Sequence, residues 1–574
     1  MKFGQPMDRN INGTAEPVVE LYVKVNREIR YQQIFGFGGA FTDSTGINVR
    51  KAGEKLGDQI LRDYFSSGGL EYNVGRIPIG GSDFSSRAYS LDDSNEDRGL
   101  RNWSLAEEDL QYKIPIIQKA KQLATHDIRL FGSPWSAPKW MKTNNELIHG
   151  GSIKGPVGSD YWQIWAKYFV KYLDAYKAHN ISHWGITIQN EPQANQKFNS
   201  MLYTPEQMRD FLAKTLGPEL DGSGYGPDKL SVMIWDHNLD YVQQWVRTIF
   251  ADPVASRYAA GTAVHWYSHS PHELLDEPHR LHPDKFILAT EACVGGVPTV
   301  GAWSLAERYA EDILGDLLHH VVGWTDWNMV LDNHGGPSWV ENWLNAPIIF
   351  NQDKHEYYRL PHYYALAHFS KFLSPGSVRI DSQIMSKRVD TGSSSKVSVG
   401  AFRTPDNSTV VIVVNNDNST VQLTIDDPTR VGKLMAKCEP KSIETYANNS
   451  NGGTGAICLD RPRRIPCAQG YECNACPCYK GKCVESSTCA RANADAISGG
   501  GAGATCMDTP KLIACAKGYK CNACPCYKGT CVSTSTCISR LNVPCSDAKP
   551  CCADLLCNKQ SKTCTLKACP LIGC

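Results

Sequence analysis

Eight short apolar runs, each followed by a helix-like stretch, fill residues 36–372, and this alternation constrains the fold more than any other feature. The runs begin near Phe35 (FGFGGAFTD), Asn73 (NVGRIPIG), Ile128 (IRLFGSPW), His183 (HWGITIQNEP), Leu230 (LSVMIWDHN), Gly261 (GTAVHWYS), Lys285 (KFILATEAC) and Val321 (VVGWTDWN). Strands alternating with helices form a parallel sheet covered by those helices, and eight such units predict a closed (β/α)8 TIM barrel with long loops. Between the runs, Tyr161–Tyr176 (YWQIWAKYFVKYLDAY) places aromatic and apolar residues at spacings of three and four, as a helix packed on the outside of a barrel requires.

After the barrel, Val397–Ile425 alternates apolar and polar residues (VSVGAF, VVIVVNN) between Asn/Asp turns, which predicts antiparallel β-structure. The early run VVELYVKV (Val18–Val25) is expected to pair with it, giving a β-sandwich built from both ends of the catalytic region. The expected organisation is therefore 1–35 as a segment contributing to the sandwich, 36–372 as the barrel and 373–447 as the sandwich.

Cysteine divides the 574-residue chain in two. Only Cys293 and Cys438 precede Cys458, and the remaining 21 of 23 lie beyond it. Cys458, Cys467, Cys473, Cys476, Cys478, Cys483 and Cys489 recur with the same spacing at Cys506, Cys515, Cys521, Cys524, Cys526, Cys531 and Cys537, and CNACPCYKG is repeated intact. This gives cysteine-rich repeats at 448–490 and 506–540, a Gly/Ala-rich linker at 491–505, and a knottin-like module of different spacing at 541–574. Small modules with few large apolar residues need crosslinks, so disulfides are expected in preference to thiolate metal sites, together with an oxidising compartment. Setting Cys293 aside as a small buried residue leaves an even number, with Cys438 expected to staple the sandwich or reach into the tail. Sequons at Asn12, Asn102, Asn180, Asn407, Asn418 and Asn448 agree with a secreted or lysosomal location. Met1–Glu20 holds no apolar core of signal-peptide length.

Lysine plus arginine balances aspartate plus glutamate at 59 each, which argues against nucleic acid or an anionic surface drawn in by overall charge and suits a neutral substrate. Cleavage of a glycosidic bond needs two carboxyl groups flanking that bond, and on a barrel they sit at the carboxyl ends of strands. Glu191 ends ITIQNEP on the fourth run and Glu291 ends FILATEAC on the seventh. A carboxylate directly after an apolar strand is costly unless it is paired or used, although a rim salt bridge is the plain structural alternative. Asn190, beside Glu191, is suited to hydrogen-bond a sugar 2-hydroxyl, or to make a turn.

The strings GRIPIGGSDFS, FGSPWSAPKWMKTN, ITIQNEP, AVHWYS, ATEACVG, HVVGWTDWN and GGPSWVENW, in this order over about residues 15–447, resemble the glucosylceramidase group of glycoside hydrolase family 30. The resemblance implies a retaining enzyme with a barrel and a β-sandwich, in which Glu291 is the nucleophile and Glu191 the acid/base. It further implies that Asp83, Trp135, Asn190, Trp327 and Asn342 hold the glucose and that Arg76, His265 and Tyr267 support the two glutamates. Each has an ordinary alternative: a loop cap for Asp83, core packing for Trp135 and Trp327, an ion pair for Arg76, and satisfied burial for His265 and Tyr267. No metal and no organic cofactor is implied. The expected substrate is glucosylceramide or another β-glucoside, with transient contact to a membrane or an activator protein. Two rival readings are an endo-β-1,6-glucanase or xylanase of the same family and a non-catalytic glycan-binding protein. The resemblance stops short of the cysteine-rich tail, for which a polysaccharide, a membrane, a protein partner or simple protection all stay open.

Overall fold

The computed structural model describes residues 19–388, 396–429 and 433–448, and beyond them only the backbone of short strands. Strand β1 spans Val19–Gln33 and is followed by β2 (Gly36–Ala40), β3 (Val74–Ile79), β4 (Arg129–Pro134), β5 (Gly185–Thr187), β6 (Ser231–Asn238), β7 (Ala259–His265), β8 (Phe286–Glu291) and β9 (Val321–Asn328). Strands β2 to β9 close a barrel in sequence order, and parallel pairing of β2 with β9 seals it. Each of the eight expected runs supplies one barrel strand.

Close approach of the first two barrel strands explains Gly38 of FGFGGAF, because a Cβ there would lie 1.8 Å from the Val74 carbonyl oxygen. The amino-terminal end of the barrel is filled by Val74, Phe131, Met233, Ala263 and Leu288, capped by Phe35, Trp184, Phe286 and Val322. The interior is thus a packed core rather than a pore, which leaves the carboxyl-terminal end for chemistry. The helix Asp160–Ala178 buries Trp162, Trp165, Phe169, Tyr172, Leu173 and Tyr176, the face its three-and-four spacing predicts, at about 1.5–3 kcal/mol for each large side chain removed from water.

Three short strands, β10 (Val330–Asp332), β11 (Ile348–Asn351) and β12 (Glu356–Arg359), form a small sheet that periodicity alone does not reveal. Strands β13 (Val378–Arg388), β14 (Val397–Arg403), β15 (Thr409–Asn415), β16 (Val421–Asp426), β17 (Leu434–Cys438) and β18 (Ser442–Asn448) join β1 in a seven-stranded sheet of order β17-β16-β1-β13-β14-β15-β18. The amino-terminal run does enter the carboxyl-terminal β-domain, lying parallel to β16 on one side and antiparallel to β13 on the other. Both ends of the catalytic region therefore build this domain.

In the tail, the duplicated sequence recurs as duplicated backbone. Ile457–Cys458, Tyr471–Cys473 and Gly481–Glu485 form one three-stranded sheet, and Thr505–Cys506, Tyr519–Cys521 and Gly529–Ser533 form a second of the same order. Cys473 stands opposite Cys483, and Cys521 opposite Cys531. The disulfide connectivity, the linker and the module limits lie outside the described residues. Cys293 and Cys438 are both buried.

Candidate active site

Glu291 is the last residue of β8, and Glu191 follows β5 in a turn where it adopts φ 45° and donates its backbone N–H to the Asp236 carbonyl at 2.9 Å. Left-handed backbone at a glutamate costs of the order of 1–3 kcal/mol and persists where the surroundings over-determine it. Those surroundings are visible in β6. Trp235 and Asp236 also have positive φ, and the pairing of β6 with β7 shifts register between Trp235 and His237. Such a bulge breaks the in–out alternation of a strand. Two consecutive residues, Asp236 and His237, consequently both reach the site.

Asp236 is the electrostatic hub. The Arg76 guanidinium donates to both its oxygens at 3.0 and 2.9 Å, Thr187 and Thr290 donate at 2.7 Å each, and His265 Nε2 lies 3.0 Å from Oδ1. Arg76, with no exposed surface, also donates to Asn190 Oδ1 at 2.7 Å and approaches Glu291 Oε2 at 3.6 Å. Its principal partner is therefore Asp236, and Glu291 is the second. Glu291 Oε1 accepts from the Tyr267 hydroxyl at 2.9 Å, whereas Oε2 is buried and accepts no hydrogen bond. Tyr267 also lies 3.2 Å from Cys293 Sγ. Glu191 Oε1 faces His265 Nδ1 at 3.5 Å and His237 Nδ1 at 3.7 Å.

These contacts set the charges. Burial raises the Asp236 carboxyl, but Arg76 and His265 outweigh it and hold the group well below the usual range. Burial disfavours the His265 cation, yet the charge of Glu291 and the contacts with Asp236 and Glu191 push the ring up to about 9. Glu291 is raised by burial and by the charge of Glu191, against the pull of His265, Arg76 and Tyr267. Burial also acts on Glu191, but the close approach of His265 and the charges of His237 and His265 carry it below its ordinary value.

The walls come from other loops. Trp135 and Trp327 stack at 5.0 Å and 22°, both nearly fully buried, with the Arg76 guanidinium 5.1 Å from the Trp135 ring. Asp83 accepts from Asn342 Nδ2 at 2.8 Å, and burial with the nearby Glu291 charge raises its carboxyl to about 7. The loop carrying Asn342 is tied to the loop carrying Asp83 by Ser338 on the Asp83 carbonyl, Trp339 Nε1 on the Ser82 carbonyl and the Trp339 N–H on the Ser85 carbonyl. Each sequence-derived site residue takes part in one of these contacts. Asp236, His237, Thr187 and Thr290 are additional. Asp236 follows the apolar stretch SVMIW and carries the same strand-end signal, whereas His237 and Thr290 lie at register shifts and Thr187 is an ordinary strand residue with no signal of its own.

A (β/α)8 barrel with a closed floor, an attached β-domain and acidic groups at the carboxyl ends of its strands has the architecture of a glycoside hydrolase. Residues 34–373 match the glycosyl hydrolase family 30 TIM-barrel domain and 376–446 its β-sandwich domain, and the chain belongs to that family. It is similar to putative glucosylceramidase 3 of Caenorhabditis elegans, with 43% identity over 74% of this chain and 82% of the relative. It is likewise similar to the lysosomal acid glucosylceramidase of Mus musculus, with 40% identity over 74% of this chain and 83% of the relative. Among solved structures, an endo-β1,6-glucanase superposes with a TM-score of 0.67 at 29% identity, over 74% of this chain and 93% of the other.

Proposed function

We propose that this glycoside hydrolase is a retaining β-glucosidase that hydrolyses glucosylceramide or a similar lipid glucoside. The observation that carries the reading is the asymmetry of Glu291: Tyr267 fixes one oxygen, and the other is left without a hydrogen bond beside Arg76. Glu291 Oε2 attacks the anomeric carbon, the C–O bond to the aglycone breaks, and Glu191 gives its proton to the departing oxygen. Glu191, now a base, takes a proton from water as that water attacks the glucosyl ester, which releases glucose with retained configuration and Glu291 ionised. Asp83, Asn342 and the Trp135–Trp327 pair hold the sugar, and Asn190, its oxygen occupied by Arg76, offers its amide nitrogen to the 2-hydroxyl.

Chemistry requires Glu191 protonated and Glu291 ionised. A bound glucose favours that state, because hydroxyls donating to Glu291 and Asp83 stabilise their ionised forms while the sugar shields Glu191 from water. His265 lowers both glutamates, so His265→Gln should raise both and move the acid and the basic limbs of the kcat/KM profile to higher pH. A profile with neither limb displaced would contradict that electrostatic role.

The lipid aglycone is supported by the rim. The loop after β8 exposes Val297 by 58% and Val300 by 60%, and Gly296 N–H on the Trp343 carbonyl joins it to the loop bearing the half-exposed Trp343. Apolar side chains standing out at the mouth of a site suit a substrate presented in a lipid layer. Val297→Asp combined with Val300→Asp should slow turnover of glucosylceramide in mixed vesicles about tenfold or more, given roughly 1.5–3 kcal/mol per buried valine, with the soluble aryl β-glucoside rate unchanged. Equal loss on both substrates would remove the membrane-contact reading. Substrate class is tested by incubating pure protein with detergent-dispersed glucosylceramide and with β-1,6-glucan. Release of glucose from the lipid alone supports the proposal, and release from the glucan alone establishes the glucanase alternative. The mouse relative's lysosomal location, together with exposed sequons at Asn102, Asn180, Asn407 and Asn418, supports a secreted or lysosomal site of action.

A further inference from the structure

Three potential metal ligands converge on the acid/base position. Glu191 Oε1 lies 3.5 Å from His265 Nδ1 and 3.7 Å from His237 Nδ1, and one ligating atom from each residue falls within 4.8 Å of the others. Neither imidazole Nδ1 has a hydrogen-bond partner, although both atoms are shielded from water and His265 is 2% exposed. The two separations from Glu191 are long for hydrogen bonds but close to the edge of a metal polyhedron: four ligands at about 2.0–2.1 Å around tetrahedral Zn2+ stand roughly 3.3–3.4 Å apart.

The tautomer fits as well. Arg76 Nη1 spends its hydrogens on Asp236 Oδ1 at 3.0 Å and on the Thr290 carbonyl at 2.9 Å, so His265 Nε2, 3.0 Å from Asp236, is the nitrogen that donates to that carboxylate. A carboxylate that orients an imidazole so that its other nitrogen can ligate is the usual outer support of a zinc-bound histidine. His237 is brought in by the β6 bulge. Two imidazoles and one carboxylate suit Zn2+ and its transition-metal neighbours and are a poor set for Mg2+ or Ca2+, which prefer all-oxygen shells.

We propose that Glu191, His237 and His265 form an inhibitory site for a divalent cation of the Zn2+ class, competing with the glucoside. On binding, the cation displaces any Nδ1 proton of His265 to solvent and takes the Oε1 lone pair that would otherwise carry the catalytic proton. It also occupies the space of the departing oxygen. The metal site rests on the geometry alone; its inhibitory effect rests on the glycosidase reading.

The full chain is titrated at one fixed pH with Co2+, followed by its visible d–d absorption, for wild type, Glu191→Gln and His237→Gln, with far-UV circular dichroism to verify folding. Zn2+ is then tested as an inhibitor of aryl β-glucoside hydrolysis. A nitrogen/oxygen-type Co2+ band present in wild type and lost in both variants is expected, with Zn2+ competitive and its Ki weakened at least about tenfold in His237→Gln. Cysteine thiolates in the tail would add a sulfur-to-metal band common to all three proteins, so it does not enter the difference. If His237→Gln fails to fold, the near-isosteric Glu191→Gln decides alone. A Co2+ difference missing from either folded variant overturns the site, even if Zn2+ still inhibits. Because the Co2+ arm needs no turnover, a protein that binds Co2+ as described but hydrolyses nothing would sink the glycosidase reading and leave the metal site standing.

Discussion

Glu291→Gln should lower kcat/KM for an aryl β-glucoside by at least about 10^4-fold, the scale on which removal of a covalent nucleophile acts, with the fold intact. The amide is nearly isosteric and can still accept from Tyr267, so a structural contribution of Glu291 survives and only its nucleophilicity is lost. Glu191→Gln should behave differently. An activated aryl group leaves without protonation, so its glycosylation step is mildly affected, whereas a poor alkyl leaving group such as a lipid alcohol loses most of its rate. Added azide sharpens the assignment. With Glu191→Ala it should intercept the glucosyl-enzyme and give the β-azide; with Glu291→Ala it should attack from the vacated side and give the α-azide. Product stereochemistry by NMR checks this, and the same anomer from both variants would reverse or dissolve the assigned roles.

The second large effect concerns Asp236, whose role is electrostatic support. Asp236→Asn should destabilise the protein by about 3–5 kcal/mol, because it leaves the buried Arg76 guanidinium without its bidentate partner. In a unit of this size that amounts to a fall in Tm of roughly 3–7 °C, measurable by thermal unfolding. Activity should fall as well, since Arg76 and His265 then turn towards Glu291 and Glu191. Asp236 is held below the ordinary carboxylate range, so its contribution is complete above the unfolded pKa of about 4 and is lost only as pH falls through the lower folded value. The difference in Tm between wild type and Asp236→Asn should therefore be constant from neutral pH down to about pH 5 and narrow below that. An unchanged Tm would mean that Arg76 is neutralised elsewhere.

The sequence by itself determined the barrel and the shared β-domain and pointed to the two glutamates, because each rests on short-range pattern. Eight apolar runs with helical spacers can close only a few ways, and a carboxylate placed directly after a buried strand announces its own energetic cost. Motif order then supplied Arg76, Asp83, Trp135, Asn190, His265, Tyr267, Trp327 and Asn342, but it left open which of them touch. Tertiary structure decided that Arg76 serves Asp236 before Glu291, that Asn342 and Asp83 form a pair across two loops, and that Trp135 and Trp327 stack on each other. It also decided that His237 faces Glu191, which strand alternation would not place on the same side as Asp236. The Asp83–Asn342 and Trp135–Trp327 pairs join loops and strands far apart in the chain, and the placement of Asp236 and His237 has a further physical reason. Bulges and positive-φ turns at the ends of β5, β6 and β8 depend on neighbouring strands holding strained backbone in place, and no local spacing in the chain records that constraint.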